Sequence, residues 1–395
     1  MSRILKKTFA MSAVFTATFA FMQFGHTFTE TAIAKTYKIG AVFSVTGRYS
    51  FLGDPEKKTA EMIVEQVNKK GGIDGVPIEL IVKDSQGDAT KANLAVKKLM
   101  TRDKVLAVIG PTTSGNSIAV IPLAEKFETP LISCAASYKI VHNEKTKKPY
   151  KWVFKTPQTD SLAVEAIYSH LKSKGLNRIA IISATTGFGA SGRAELLRLS
   201  PQYDMEIVAD EKYGPKDTDM SVQLTKIKSL KPQAIVNWSV GPTQVTVVRN
   251  WKGLGMTNVK FYQSHGFGSP KNLELAAGDA EGVYLPLGSV TIANLLPNDH
   301  PQKKVTMGYM ADYRAKYNEP ISSFGGHAWD ALYLLIDAIG KVGGDRAKIR
   351  DELEKKQNFV GQHGVFNFSA SDHNGLTKEA FNMLMVKNNT WAFAD

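Results

Sequence analysis

Val105-Leu106-Ala107-Val108-Ile109-Gly110-Pro111-Thr112-Thr113-Ser114-Gly115 is the stretch on which the fold turns. Five apolar residues, β-branched at both ends, read as a buried strand, and the Gly-Pro pair stops it. Three hydroxyl residues then supply helix caps, and the spacing predicts a helix over 117–127. A strand over 130–134 follows. Working outward, the same alternation runs upstream: a strand over 37–43, a helix opened by Asp54-Pro55 and stopped by Gly71-Gly72, a strand over 78–82 and a helix over 90–100. Past a polar, Lys-rich stretch at 143–151 it starts again. Strands are predicted over 178–183, 205–209, 234–238 and 260–262, with helices over 191–199, 220–230 and 243–254 between them. Strands alternating with amphipathic helices predict an α/β chain of two similar halves, each a parallel sheet covered on both faces. The tail reads as a strand over 283–286, helices over 303–317, 326–339 and 347–356, an extended piece over 364–368 and a strand near 382–386. A tail of this size has to pack on one or both halves, which predicts several chain crossings between them.

The 395 residues are 43% hydrophobic and 22% charged, a globular composition that argues against disorder. Lys and Arg number 49 against 37 Asp and Glu, a net charge of +12, and the +10 that remains without Arg3, Lys6, Lys7 and Glu30 mildly favours anion capture. The single cysteine excludes an intrachain disulfide and argues against a cysteine-based metal site. Arg3, Lys6 and Lys7 precede an uncharged run over 8–29, and Ala32-Ile33-Ala34 suits a signal peptidase. Residues 1–34 are therefore expected to be a signal peptide cleaved after Ala34. A retained anchor is the alternative, but Gly25, His26 and several Thr interrupt the run. With no cysteine at the cleavage site, a lipoprotein is not expected. No later run reaches the roughly 18 apolar residues of a membrane span, so the expected location is the periplasm. The basic stretch around Lys145, Lys147, Lys148 and Lys151 lacks interleaved aromatics and reads as a solvated loop, with no nucleic-acid partner.

Gly187-Phe188-Gly189-Ala190-Ser191-Gly192 is a literal GxGxxG after a strand, with Asp210 and Glu211 beyond the next strand. Three features argue against a dinucleotide there. Ala184-Thr185-Thr186 separates strand from glycines, the unit lies mid-chain in the second half, and the export signal leads where such cofactors are scarce. The other use is a helix N-terminus whose free N–H groups favour an anion. The turn at 110–115 offers the same groups at a strand's carboxyl end, where open α/β sheets bind ligands, and it lacks the Lys of a P-loop. Ser133-Cys134-Ala135-Ala136-Ser137 leaves space beside it. Cys134 reads as a small core residue. No GxSxG, HExxH or i, i+4 His pair is present. The expectation is a protein that is not an enzyme and carries no cofactor or metal.

These residues carry a resemblance. Tyr37–Gly47 with Gly53-Asp54, Gly71-Gly72-Ile73-Asp74-Gly75, Lys83-Asp84 with Asp88, Val108-Ile109-Gly110-Pro111 with Ser114-Gly115, Pro130-Leu131-Ile132-Ser133, Phe188-Gly189, Gly278–Gly282 and Trp329-Asp330-Ala331 resemble the solute-binding proteins of branched-chain amino-acid-type ABC transporters, in order along the chain. The resemblance implies a two-lobed type I clamshell with three hinge crossovers: residues 35–155 with about 286–365 in one lobe, and 156–285 with about 366–395 in the other. It implies a monomer that delivers a solute to a membrane permease. By the same likeness Ser114, Ala135 and Ser137 hold a ligand carboxylate, with Thr113 and Leu52 beside them. Phe188, Trp238 and Trp329 supply flat walls, core packing being the alternative for each. Where relatives carry an acid for the ligand ammonium this chain has His265, and where they carry an aromatic it has Val240. A buried ammonium without an anion is costly, so a carboxylate without an ammonium is favoured, an aromatic acid first. The alternatives are a branched-chain amino acid and, remotely, a secreted NAD-dependent oxidoreductase.

Overall fold

Tyr37–Phe43 forms strand β1 over the predicted residues. Ile39, Ala41 and Phe43 face one apolar core and Val42 another, so both faces are covered. The protein is described here by a computed structural model covering residues 36–394, and the expected signal peptide with its cleavage site lies outside the described residues. β1 is followed by β2 (Ile78–Asp84), β3 (Ala107–Ile109), β4 (Leu131–Ser133) and β5 (Val153–Lys155), all parallel, in the order β2-β1-β3-β4-β5. Helices α1 (Ser50–Lys69), α2 (Ala89–Thr101) and α3 (Ser114–Lys126) connect them.

Two of these helices start earlier than the sequence suggests. α1 begins at Ser50, so Pro55 lies inside it rather than opening it. Packing fixes the early start: a Cβ on Gly53 would sit 2.3 Å from the Ser44 carbonyl oxygen, and Leu52 is buried next to it. α3 begins at Ser114 because the Thr113 side chain caps it, accepting from the Asn116 N–H at 3.4 Å.

After α4 (Asp160–Ser173), a helix absent from the sequence reading, the second half builds its own sheet. Its elements are β6 (Arg178–Ala184), α5 (Gly187–Leu199), β7 (Glu206–Tyr213), α6 (Ser221–Ser229), β8 (Ala234–Trp238), α7 (Thr243–Gly253), β9 (Lys260–Gln263), α8 (Pro270–Ala276) and β10 (Tyr284–Leu287). The tail helices α9 (Lys303–Tyr317), α10 (Ser323–Val342) and α11 (Arg346–Glu354) follow. Ala328, Leu332 and Leu335 of α10 and Ile349 of α11 share a core with Ile39, Ile63 and Ala107, so these helices return to the first sheet. β11 (Asn382–Lys387) and the unpredicted β12 (Thr390–Phe393) close the second sheet antiparallel, in the order β12-β11-β10-β9-β8-β6-β7.

The chain thus passes between the sheets three times: after β5, after β10 and before β11. Gln158 in the first crossing donates to the Ala380 carbonyl at 2.8 Å in the third. It also lies against the second, since a Cβ on Gly288 would be 2.8 Å from its Nε2. The final return falls later than the expected boundary at about 366. Phe366, Phe368 and Leu376 still belong to the first core, and the Phe368 ring meets Phe154 of β5 edge-on at 5.5 Å.

Candidate functional site

β3 and β6 each end in a turn that feeds a helix, and the N-termini of those helices, α3 and α5, meet. A Cβ on Gly187 would lie 2.9 Å from Gly115 Cα. Beside this meeting point the two halves enclose a cavity of about 220 Å³. The first half contributes Tyr49, Leu52, Thr113, Ser114, Ala135, Phe324 and His327 to its lining, and the second contributes Thr186, Phe188, Val240 and His265. Further contacts join the halves around it. Arg48 Nη2 donates to the Pro215 carbonyl at 2.7 Å, and the hydroxyls of Ser137 and Ser191 are 2.7 Å apart.

Polar groups concentrate where the helices begin. The first N–H groups of a helix have no intrahelical acceptor and carry its positive dipole end. Ser114 is buried, its Oγ accepts from the Ser137 N–H at 3.3 Å, and its own proton remains to be donated. Thr112 is committed elsewhere: its hydroxyl accepts from the Ser44 N–H at 2.9 Å and donates to Glu56, whose carboxyl burial pushes well above the usual range. The lining includes no Asp, Glu, Lys or Arg. Lys155 lies behind it, fully buried, donating to the Ala136 carbonyl at 2.8 Å. Burial pulls this ammonium down and pushes the neighbouring Asp160 carboxyl up.

Two imidazoles face the cavity. His265 packs against the rings of Phe188 (5.2 Å), Trp238 (5.8 Å) and Phe381 (5.4 Å). Burial first, then the charge of Lys155 and the proximity of His363, holds it near pKa 3, so it is neutral. His327 is stacked on His363 at 3.7 Å, and burial with the same neighbours lowers it well below the usual value. His363 in turn pairs through Nδ1 with Asp330 at 2.9 Å and through Nε2 with Ser323 at 3.1 Å.

Residues 36–390 match the family model described as a periplasmic binding protein. The chain belongs to the periplasmic binding protein family. A leucine-, isoleucine-, valine-, threonine- and alanine-binding protein of Pseudomonas aeruginosa is 24% identical, over 81% of this chain and 82% of its own length. Among solved structures, an extracellular ligand-binding receptor from Rhodopseudomonas palustris HaA2 matches with a TM-score of 0.85 at 26% identity, covering 91% of this chain and 100% of that one. A branched-chain amino acid transporter substrate-binding protein from Streptococcus pneumoniae, solved with isoleucine, matches with a TM-score of 0.77 at 30% identity over 90% and 98%. The two sheets with their helices are the two lobes of the type I periplasmic-binding-protein fold.

Within this binding-protein fold, Leu52, Thr113, Ser114, Ala135, Phe188, Val240 and His265 are brought together around the cavity. Three other expected site residues are not. Ser137 is fully buried, its hydroxyl pairing with Ser191 and accepting from the Lys139 N–H, so it caps a short 3-10 turn (Tyr138–Ile140) instead of facing solute. Trp238 is wholly buried behind Phe188, its indole filling the space over Gly192. Trp329 packs on Tyr333 at 4.2 Å. Two residues on from His327, it points about 200° round the helix from the cavity. Phe324 and His327 were missed. Their i, i+3 spacing at the start of α10 is the signal that could have found them.

The GxGxxG glycines lie inside α5 rather than ahead of it, and packing accounts for them. A Cβ on Gly189 would be 1.9 Å from the Ala184 carbonyl oxygen, and one on Gly192 would be 2.0 Å from the Trp238 ring. Asp210 is the ion-pair partner of Arg193, and Glu211 that of Lys226. Cys134 borders the cavity with its thiol raised by burial, which keeps it protonated.

Proposed function

We propose that this binding protein is the extracytoplasmic, periplasmic receptor of an ABC importer, that it takes a small carboxylate, an aromatic acid by preference, and that it delivers the solute as a monomer to a membrane permease. The observation that carries this reading is the polarity of the cavity. Two helix N-termini and the free Ser114 proton converge at one end, the walls are Leu52, Phe188, Phe324 and Val240, and no acidic side chain lines the space. A carboxylate finds charge-assisted donors there. An ammonium would be desolvated without an anion. A volume near 220 Å³ lies below the ~300–1,000 Å³ of drug-sized sites and suits a single small solute. Contacts such as Gly115 with Gly187 form only when the lobes approach, so a solute bridging them shifts the population toward closure.

The relatives described above favour a branched-chain amino acid as the rival solute. Denaturing the protein after gentle purification and identifying the released solute by mass spectrometry separates the two. An acid without an amine is expected, and stoichiometric leucine, isoleucine or valine would overturn the ligand assignment.

A further inference from the structure

Beyond the carboxylate end, the cavity keeps polar side chains that nothing among the described residues satisfies. Both ring nitrogens of His265, and Nδ1 of His327, are buried without a hydrogen bond. Each such nitrogen left unpaired costs roughly 1–3 kcal/mol, and three of them on two side chains that line one small cavity point to a ligand that pairs at least one on each ring. They come from opposite lobes, His265 from the turn after β9 and His327 from the start of α10. Both are held in place. Phe188, Trp238 and Phe381 surround the His265 ring. His327, 5% exposed, lies flat on His363, which Asp330 and Ser323 brace from behind.

The charges around the pair decide what they can hold. Lys155 is the nearby cation, with Asp160 beside it, and Asp330 is engaged by His363 and by the backbone N–H groups of Gln362 and His363. No carboxylate is left to stabilise an imidazolium, so each ring offers one N–H and one bare nitrogen. We propose that His265 and His327 together hold a second, uncharged group of the solute, a hydroxyl, so that the receptor reads an acid and a hydroxyl on one small molecule. A hydroxyl both donates and accepts, so it can take the N–H of one ring and fill the bare nitrogen of the other. A second carboxylate can only accept, and would draw a proton onto the pair. The inference rests on the carboxylate reading above and adds the solute's second functional group and the residue, His327, that recognises it.

The test is calorimetric titration of the full protein with benzoate and the three monohydroxybenzoates. At least one hydroxylated acid is expected to bind tenfold or more tightly than benzoate. In His327→Phe and in His265→Phe that ratio falls to within threefold of unity, each variant's hydroxylated acids being read against its own benzoate affinity. His327→Gln, which keeps a hydrogen bond, recovers part of the ratio and guards against a folding defect, which a thermal melt checks directly. A ratio that survives both Phe variants, or a wild type in which no hydroxylated acid exceeds benzoate, overturns the histidine assignment alone. Repeating the best titration in two buffers of different ionisation enthalpy should show no proton uptake, and uptake of about one proton per solute overturns the uncharged group. If none of the four acids binds while isoleucine does, the reading of an acid without an ammonium has failed, and this inference with it.

Discussion

Ser114→Ala takes one oxygen out of the carboxylate end of the cavity, and two separate losses follow from where that oxygen sits. In the bound state its proton is the donor left over after the hydroxyl accepts from Ser137 N–H at 3.3 Å. A hydrogen bond to a charged group contributes about 1.5–3 kcal/mol, and each ~1.4 kcal/mol is tenfold in affinity. The dissociation constant for a carboxylate should therefore rise by roughly ten- to 150-fold. In the free state the Ser137 N–H loses its acceptor, which lowers stability by about 1–3 kcal/mol unless water replaces it. Calorimetry reads the first loss and a ligand-free denaturant melt reads the second. Ser117→Ala provides the contrast, because that hydroxyl serves the Pro111 carbonyl and Ser133 behind the turn and does not line the cavity. It should lower stability with affinity within about threefold of wild type. If Ser114→Ala destabilises the protein yet binds the carboxylate as tightly as wild type, the reasoning is refuted and the carboxylate does not lie at the start of α3.

Other perturbations follow from the same geometry. Gly187→Ala puts a methyl 2.9 Å from Gly115 Cα, so it should prop the lobes apart and weaken binding about tenfold or more, with little change in the ligand-free melting temperature; small-angle scattering with ligand would show the wider cleft. Gly192→Ala drives a methyl into the Trp238 indole and should cost about 1–3 kcal/mol or more of stability in a urea melt, while millimolar NAD leaves both proteins' melting temperatures unmoved. His265 is neutral in the fold down to about pH 3 but takes a proton near 6.5 when unfolded. Its contribution is thus intact above pH 6.5 and is lost as pH falls through that window. Urea midpoints should drop less between about pH 7 and about pH 5 in His265→Phe than in wild type, and equal drops would contradict the assignment.

Local pattern was a reliable guide where an apolar run and its stop signals agreed with the packing. β1, β8 and α9 fall on the expected residues: the two strands are short apolar runs buried on both faces, and α9 buries Thr306, Tyr309 and Tyr313 at helical spacing. The starts of α3 and α5 were misplaced because Gly and Ser have weak helix propensity, while the caps that begin the helices, Thr113 accepting from Asn116 N–H and Thr186 accepting from Gly189 N–H, lie ahead of them. α4, α8 and β12 went unread although each carries boundary signals: Thr159-Asp160 and Gly175 bracket α4, Ser269-Pro270 opens α8, and Asn388-Asn389, both at positive φ, turn the chain into β12. For the cavity, strand ends and helix N-termini predicted Thr113, Ser114 and Ala135, because topology alone puts them there. Ser137, Trp238 and Trp329 went wrong because a turn, a strand end and a helix each rotate a side chain away within one or two residues. Phe324 and His327 are distant in sequence from the other lining segments, and the return of α10 to the first lobe brings them in.

The central claim, a receptor for a small acid without an ammonium, is met most directly by titrating the purified protein with benzoate-type acids and with isoleucine under the same conditions. The account predicts saturable, one-to-one heat from an acid and none from isoleucine. Tight isoleucine binding with silence from every acid would contradict it.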